Sequence, residues 1–203
     1  MKLFCFILTI LFATCNKKNI NKENNKPNDY VIVQSEDTLR LLLRYADQQI
    51  IEDSTNYEAY YIRSLVMSGR NDTTEALWCL NKSVQYNSEY FEARLARGIL
   101  FFYLNSNDSS FQDLQKAEKL NTGDHMAPYY MGLLSMKKND FVGAVHQFDK
   151  SLKSKPNNPA VLFYRGKVKM ENLGDKKAGC NDITKAGELD SSFKKRKEYT
   201  DCN

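Results

Sequence analysis

A repeat of 34 residues constrains this chain more than any other feature. Ser64, Gly98, Gly132 and Gly166 stand 34 apart, and so do Ala59, Ala93, Ala127 and Val161. Ala76, Ser110, Ala144 and Ala178 follow the same interval. Aliphatic columns run beside them: Val66, Leu100, Leu134 and Val168, and Leu80, Leu114 and Phe148. Small residues at fixed helical offsets let two helices approach closely. A column of them at one period means that the same helix pair is being stacked, each pair covering an apolar face that its neighbour exposes.

The clearest unit is Ala127 to Asn158. Tyr129, Tyr130, Leu133 and Leu134 give one helical period, Asn139-Asp140 break it, and Ala144, Val145, Phe148 and Leu152 give a second that ends at Pro156-Asn157-Asn158. With Gly132, Ala144, Phe148 and Pro156 in place and Asn139-Asp140-Phe141 at the turn, this unit resembles a tetratricopeptide repeat. The resemblance implies an all-α, right-handed solenoid of stacked antiparallel helix pairs. Four repeats are expected, at 57–90, 91–124, 125–158 and 159–190. The second departs from the family pattern where Asn105-Ser106-Asn107-Asp108 replaces the tight turn. Ser88 and Thr122 replace the terminal Pro. The fourth has slipped by one residue, because Gly174-Asp175 lies 35 after Asn139-Asp140. A half repeat (36–56) precedes the first, with its helix over Glu36 to Glu52. A cap (191–203) follows the fourth, with a polar closing helix over Ser191 to Asp201.

The first 35 residues read as something other than repeats. Lys2 precedes an almost wholly apolar run from Leu3 to Thr14. That run is shorter than the ~20 residues that span a bilayer but suits a signal-peptide core. Phe12-Ala13-Thr14-Cys15 resembles the lipobox of bacterial lipoproteins, which implies a signal peptide over 1–14, diacylation of Cys15 and N-acylation of the new terminus (a palmitate-type anchor). An ordinary secretory signal with Cys15 incidental is the alternative. Residues 15–35 then form a tether, rich in Asn and Lys and too polar to bury much surface. The expected location is the periplasmic face of the outer membrane, or the soluble periplasm if Cys15 is unmodified.

Cys79, Cys180 and Cys202 remain after the leader and the lipid site are set aside. Cys180 sits about ten residues before the turn near Asp190 and Cys202 about twelve after it, so antiparallel segments would bring them level. Cys79 is about three repeats away; at ~8–10 Å per packed helix it cannot come within the ~7 Å a bridge needs. A Cys180–Cys202 disulfide is therefore expected, with a contribution to stability of ~3 kcal/mol. Cys79 reads as a small buried hydrophobe.

Catalytic and cofactor signals are missing. His125 and His146 have no Cys or His at zinc-ligand spacing, and no Gly-rich phosphate loop or G-x-S-x-G elbow occurs. The formal charge of +4 is small and dispersed, unlike the stripe of a nucleic-acid binder. No enzyme activity, cofactor, metal, nucleic acid or small-molecule substrate is expected.

What remains is a protein or peptide partner. In the family resembled here, the first helix of each pair lines a concave groove, and residues at i, i+4 and i+7 share that face. These are Tyr61, Leu65 and Ser68; Leu95, Ile99 and Phe102; Tyr129, Leu133 and Met136; and Phe163, Lys167 and Met170. Ten of these twelve are apolar or aromatic, and Lys167 alone could serve a carboxylate clamp of the kind some members use, so no clamp is carried over. Phe102, Tyr129 and Met136 would be the central anchors. The alternative is an accessory protein whose groove is filled by its own side chains. Arg63, Arg97 and Arg165 recur just before the small-residue column, with Met131 in the third repeat. They read as stems packed between helices with heads in water, the alternative being an anion site.

Overall fold

A computed structural model describes residues 36–202. The expected signal peptide, the lipid site Cys15 and the tether lie outside the described residues. The described chain is all-α. In order come α1 (Glu36–Glu52), α2 (Tyr57–Gly69), α3 (Thr73–Tyr86), α4 (Phe91–Tyr103), α5 (Asn107–Leu120), α6 (Met126–Lys137), α7 (Phe141–Ser154), α8 (Pro159–Glu171) and α9 (Lys176–Leu189). A 3-10 turn (Ser191–Lys195) and a short helix, α10 (Lys197–Thr200), follow. Antiparallel helix pairs α2/α3, α4/α5, α6/α7 and α8/α9 stack in tetratricopeptide-like fashion, with α1 and the segment after α9 as caps. Two compact units divide within α4, one running to Arg97 and the other starting at Gly98.

In the first unit α2 packs between α1 and α3, burying Ala46, Ala59, Leu65, Val66, Ala76, Cys79 and Leu80. In the second, α8 packs against α7 and α9 around Phe148, Val161, Leu162, Phe163, Val168 and Ile183. The small-residue columns mark where helices touch. A Cβ on Gly132 would come within 2.5 Å of the Phe148 ring, which fills the space that glycine leaves. Gly166 faces Gly179, and a Cβ on either would lie 2.6 Å from the other's carbonyl oxygen. This corrects the column ending at Ala178: the buried member in the fourth repeat is Gly179, 35 residues after Ala144.

The same slip shows in the turns. Asn71, Asn105 and Asn139 each have φ near +60° (62, 58 and 58), and Gly174 has φ 73. Asparagine tolerates the left-handed conformation better than most residues, and glycine pays no Cβ penalty there. The amides of Asp72, Ser106 and Asp140 reach back five residues, to the carbonyls of Met67, Phe101 and Ser135, each at 2.9 Å. Asp175 reaches back six, to Lys169. The extra residue of the fourth repeat thus sits in the turn between α8 and α9. The second repeat keeps the tight turn after all, with Asn105 in the conformation of Asn71 and Asn139. Side chains of Asp72, Asp140 and Asp175 cap α3, α7 and α9 by accepting from Glu75, Gly143 and Ala178 amides at 3.0, 2.9 and 3.0 Å.

The arginine column bolts helix to helix. Arg63 donates to Asp47 at 2.6 Å, Arg97 to Asn81 at 3.0 Å and Arg165 to Asp149 at 2.6 Å, each reaching the residue 16 positions back. Arg165 also grips the buried carboxylate of Asp182 with two bonds, at 2.6 and 2.8 Å. Asp47, Asn81, Gln115 and Asp149 form a 34-residue column of their own, and the neutral Gln115 stands where the arginine column has Met131. The heads are paired within the protein, so the column is structural.

The cap differs from the single polar helix expected. Arg196 is extended (φ −83, ψ 144) and separates the 3-10 turn from α10. The break turns Phe193 and Tyr199 inward, where both pack on the core of the second unit with Cys202.

Candidate partner-binding face

The row of first-helix residues has a different fate in different repeats. In the first unit Tyr61, Leu65, Ser68 and Leu95 are buried. The Tyr61 ring meets Tyr90 edge-on at 5.4 Å, and Tyr90 also meets Tyr57 at 4.9 Å. Burial pushes the Tyr61 and Tyr90 phenols far above their usual range. In the second unit Ile99 and Phe163 are buried, while Phe102, Tyr129, Leu133, Met136 and Met170 stay partly exposed.

Phe102 and Tyr129 belong to an aromatic cluster built by α4, α6 and α8. Phe102 meets Tyr130 at 5.3 Å and Tyr103 at 5.4 Å, in edge-on arrangements that favour ring quadrupoles. Tyr129 meets Tyr130 at 5.1 Å and Tyr164 at 6.3 Å. The Tyr103 and Tyr130 hydroxyls lie 3.1 Å apart, one donating to the other. The Lys137 ammonium sits 4.0 Å from the Phe102 ring centroid and donates to the Asn105 side-chain carbonyl at 3.1 Å. Lys137, Tyr103, Tyr130 and Tyr164 were not anticipated as neighbours of the row.

A signal for the buried-versus-open pattern exists in the sequence. Tyr90 lies 29 residues after Tyr61 and Phe193 lies 30 after Phe163, the latter interval including the slip. Both rings cover the residue they follow. The residue 29 after Tyr129 is Asn158, whose side chain instead caps α8 by accepting from Ala160 and Val161 amides. Tyr129, packed against Tyr130, Phe148 and Tyr164, stays partly exposed.

The remaining sequence candidates are placed as follows. Cys180 and Cys202 are disulfide-bonded, with Cα atoms 5.2 Å apart. Cys79 is buried, and burial, with Glu75 beside it, pushes its thiol up to about 12, which leaves it protonated and inert. His125 stands at the N-cap of α6, where burial and Lys155 lower its imidazole to about 4. His146 is exposed on α7. Lys167 is held by Glu198 and Glu171. Among the described residues no group of three or more His, Cys, Asp or Glu is placed to hold a metal ion. An open cleft of about 570 Å³ lies beside α5, lined by Glu118, Lys119, Thr122, Asp124, Pro128, Lys150, Lys153 and Ser154. Its charges are mixed, and Lys150 is already paired with Glu118 at 2.9 Å.

No family model and no characterised relative matches the sequence. Solved structures match the fold. YrrB, described as a TPR protein with an unusual peptide-binding site, superposes with a TM-score of 0.64 at 19% identity, over 76% of this chain and 79% of that one. MamA of Desulfovibrio magneticus RS-1 gives 0.67 at 17% identity, over 76% and 87%. The Cut9-Hcn1 assembly gives 0.67 at 16%, over 78% of this chain and 30% of the other. At these identities the likeness establishes tetratricopeptide-like helix pairs.

Proposed function

We propose that this chain is a non-enzymatic protein-binding scaffold that takes a peptide or protein segment on the row Phe102, Tyr129, Leu133 and Met136. The observation that carries this reading is the partial exposure of that row beside Lys137, while its register equivalents Tyr61, Leu65, Leu95, Ile99 and Phe163 are buried. Large aromatic side chains with an open edge bury much area at low rotamer cost, and such residues dominate binding energies at interfaces. A cation at the rim favours a partner with a carboxylate nearby. The fold-level likeness to a peptide-binding TPR protein points the same way, as an analogy.

The reading extends to the whole sequence. The proposed organisation is a signal peptide over 1–14, a lipidated Cys15 with a tether to residue 35, a half repeat over 36–56, repeats over 57–90, 91–124, 125–158 and 159–190, and a cap from 191. Lipid at Cys15 would hold the scaffold at the periplasmic face of the outer membrane. Among the described residues no helix is long and apolar enough to cross a membrane, so attachment would fall to that lipid. The burial of five of the ten apolar row residues favours a second reading, an assembly accessory whose row is packing.

A photo-crosslinking residue placed at Met136 or Phe102 in cells distinguishes the two. One adduct common to both positions and absent from a probe at exposed Val142 is the expected result. No adduct, or the same adducts from all three positions, would leave the accessory reading in place.

A further inference from the structure

In the fourth repeat the row positions are Phe163, Lys167 and Met170, and one segment of the chain lies on all three. The Phe193 ring centroid is 5.0 Å from that of Phe163, and the Arg196 guanidinium is 5.9 Å from the same ring. Glu198 accepts a hydrogen bond from the Lys167 ammonium, which also has Glu171 at 3.6 Å. The Met170 sulfur lies 3.7 Å from the Cys202 sulfur and 3.9 Å from that of Cys180. Tyr199 lies over Gly187, where any Cβ would collide with the tyrosine ring. Aromatic, charged and thioether positions of the row are each met by a complementary group.

What holds this segment is not its own secondary structure. A five-residue 3-10 turn and a four-residue helix are far below the length at which helices persist alone. The Cys180–Cys202 bond joins residues 22 apart and keeps the segment at high effective concentration over the face. Both cysteines are partly exposed.

We propose that residues 191–202 are a resident ligand of the fourth repeat's face, held by the Cys180–Cys202 bond, and that a dithiol reductant opens the face to a segment of the same chemistry in trans. That chemistry is an aromatic ring followed five residues later by a carboxylate, as Phe193 and Glu198 are spaced. The inference rests on the reading of the first-helix row as a binding surface. In the opening step a thiolate of the dithiol attacks one sulfur of the bond, forming a mixed disulfide, and the other cysteine leaves as a thiolate and takes up a proton. The second thiol of the reductant then closes its own disulfide and releases the remaining cysteine. Two electrons pass from the dithiol to the protein disulfide. Lys167 and Phe163 are left to grip whatever carboxylate and ring replace those of the chain itself.

The test uses the full chain, oxidised and after treatment with dithiothreitol, with Cys202→Ser and Cys180→Ser as permanently open forms. Hydrogen exchange follows the amides of 191–202, and fluorescence anisotropy follows a labelled peptide of sequence 191–203 bearing Cys202→Ser. Reduction should raise exchange in 191–202 at least ten-fold while Pro159–Glu171 stays protected. The peptide should bind the reduced and open forms at least ten-fold more tightly than the oxidised protein, and Lys167→Ala should remove about ten-fold of that gain. Unchanged exchange on reduction overturns the gate and leaves the row elsewhere untouched. Release of the segment without peptide binding overturns the resident-ligand assignment and also counts against the row as a binding surface.

Discussion

His125 joins sequence, burial and pH dependence in one side chain. Its backbone carbonyl accepts from the Ser151 hydroxyl at 2.7 Å, which fixes the start of α6 against α7 and draws the imidazole into a half-buried site. Burial first, and the Lys155 charge second, lower its pKa from 6.5 to about 4. Between those values the unfolded chain binds a proton that the folded chain does not. The stability at stake is therefore fully present above about pH 6.5 and is lost as pH falls toward 4. Asp124 works in the opposite sense, because burial raises its carboxyl and the folded form takes up that proton more readily in acid. Urea midpoints measured from pH 7 to 4.5 should fall for the wild type and flatten for His125→Gln. Equal slopes in the two proteins would remove His125 as the cause.

The helix pair is the scale at which the sequence was most legible. Small residues must recur where α2 meets α3 or α8 meets α9, because a larger side chain would push the backbones apart, and so Gly132 and Gly166 announce the pairing. Turn chemistry was half legible. Asn139-Asp140 reads as a break, but Asn105-Ser106 conceals the same left-handed turn because Ser106 lacks the capping carboxylate of its equivalents. Exposure was not legible from residue type: Tyr61 and Tyr129 share one register position, and the Tyr90 ring packs on the first, while Asn158, 29 residues after the second, caps α8 instead. The form of the closing segment is hidden for a similar reason. Its polar composition hid two inward rings, Phe193 and Tyr199, that need an extended residue between them. One prediction belongs to this scale. Asp72, Asp140 and Asp175 each cap a second helix, whereas Ser106 at the N-cap of α5 makes no side-chain cap bond. Ser106→Asp should add the missing bond and complement the positive helix end, gaining about 0.5–1 kcal/mol. Thermal or urea unfolding of the variant measures it, and an unchanged or lower midpoint would count against the cap.

At the scale of the whole molecule, the proposed scaffold must be delivered to its partner, and the proposal assigns that task to Cys15. Two physical routes to a membrane need to be told apart. The segment after Cys15 carries Lys17 and Lys18, and basic residues near an anionic surface give attraction that falls away within a Debye length. Acyl chains instead contribute about 0.8 kcal/mol for each buried methylene, and two or more chains together give an anchor that salt does not weaken. The apolar run from Leu3 to Thr14 is about 12 residues against the ~20 that a spanning helix requires, so it could not itself serve as a stop in the bilayer. The expected outcome is specific. Cells fed an alkyne-bearing palmitate should label the wild-type chain and not Cys15→Ala, and the wild type should stay in the membrane pellet through a wash in 1 M salt. Cys15→Ala should lose at least ten-fold of its salt-resistant membrane fraction, whether it is released to the periplasm or keeps an uncleaved leader that shows as added mass. A wild-type chain that takes up no label, or that leaves the pellet with salt, would transfer the attachment from lipid to charge.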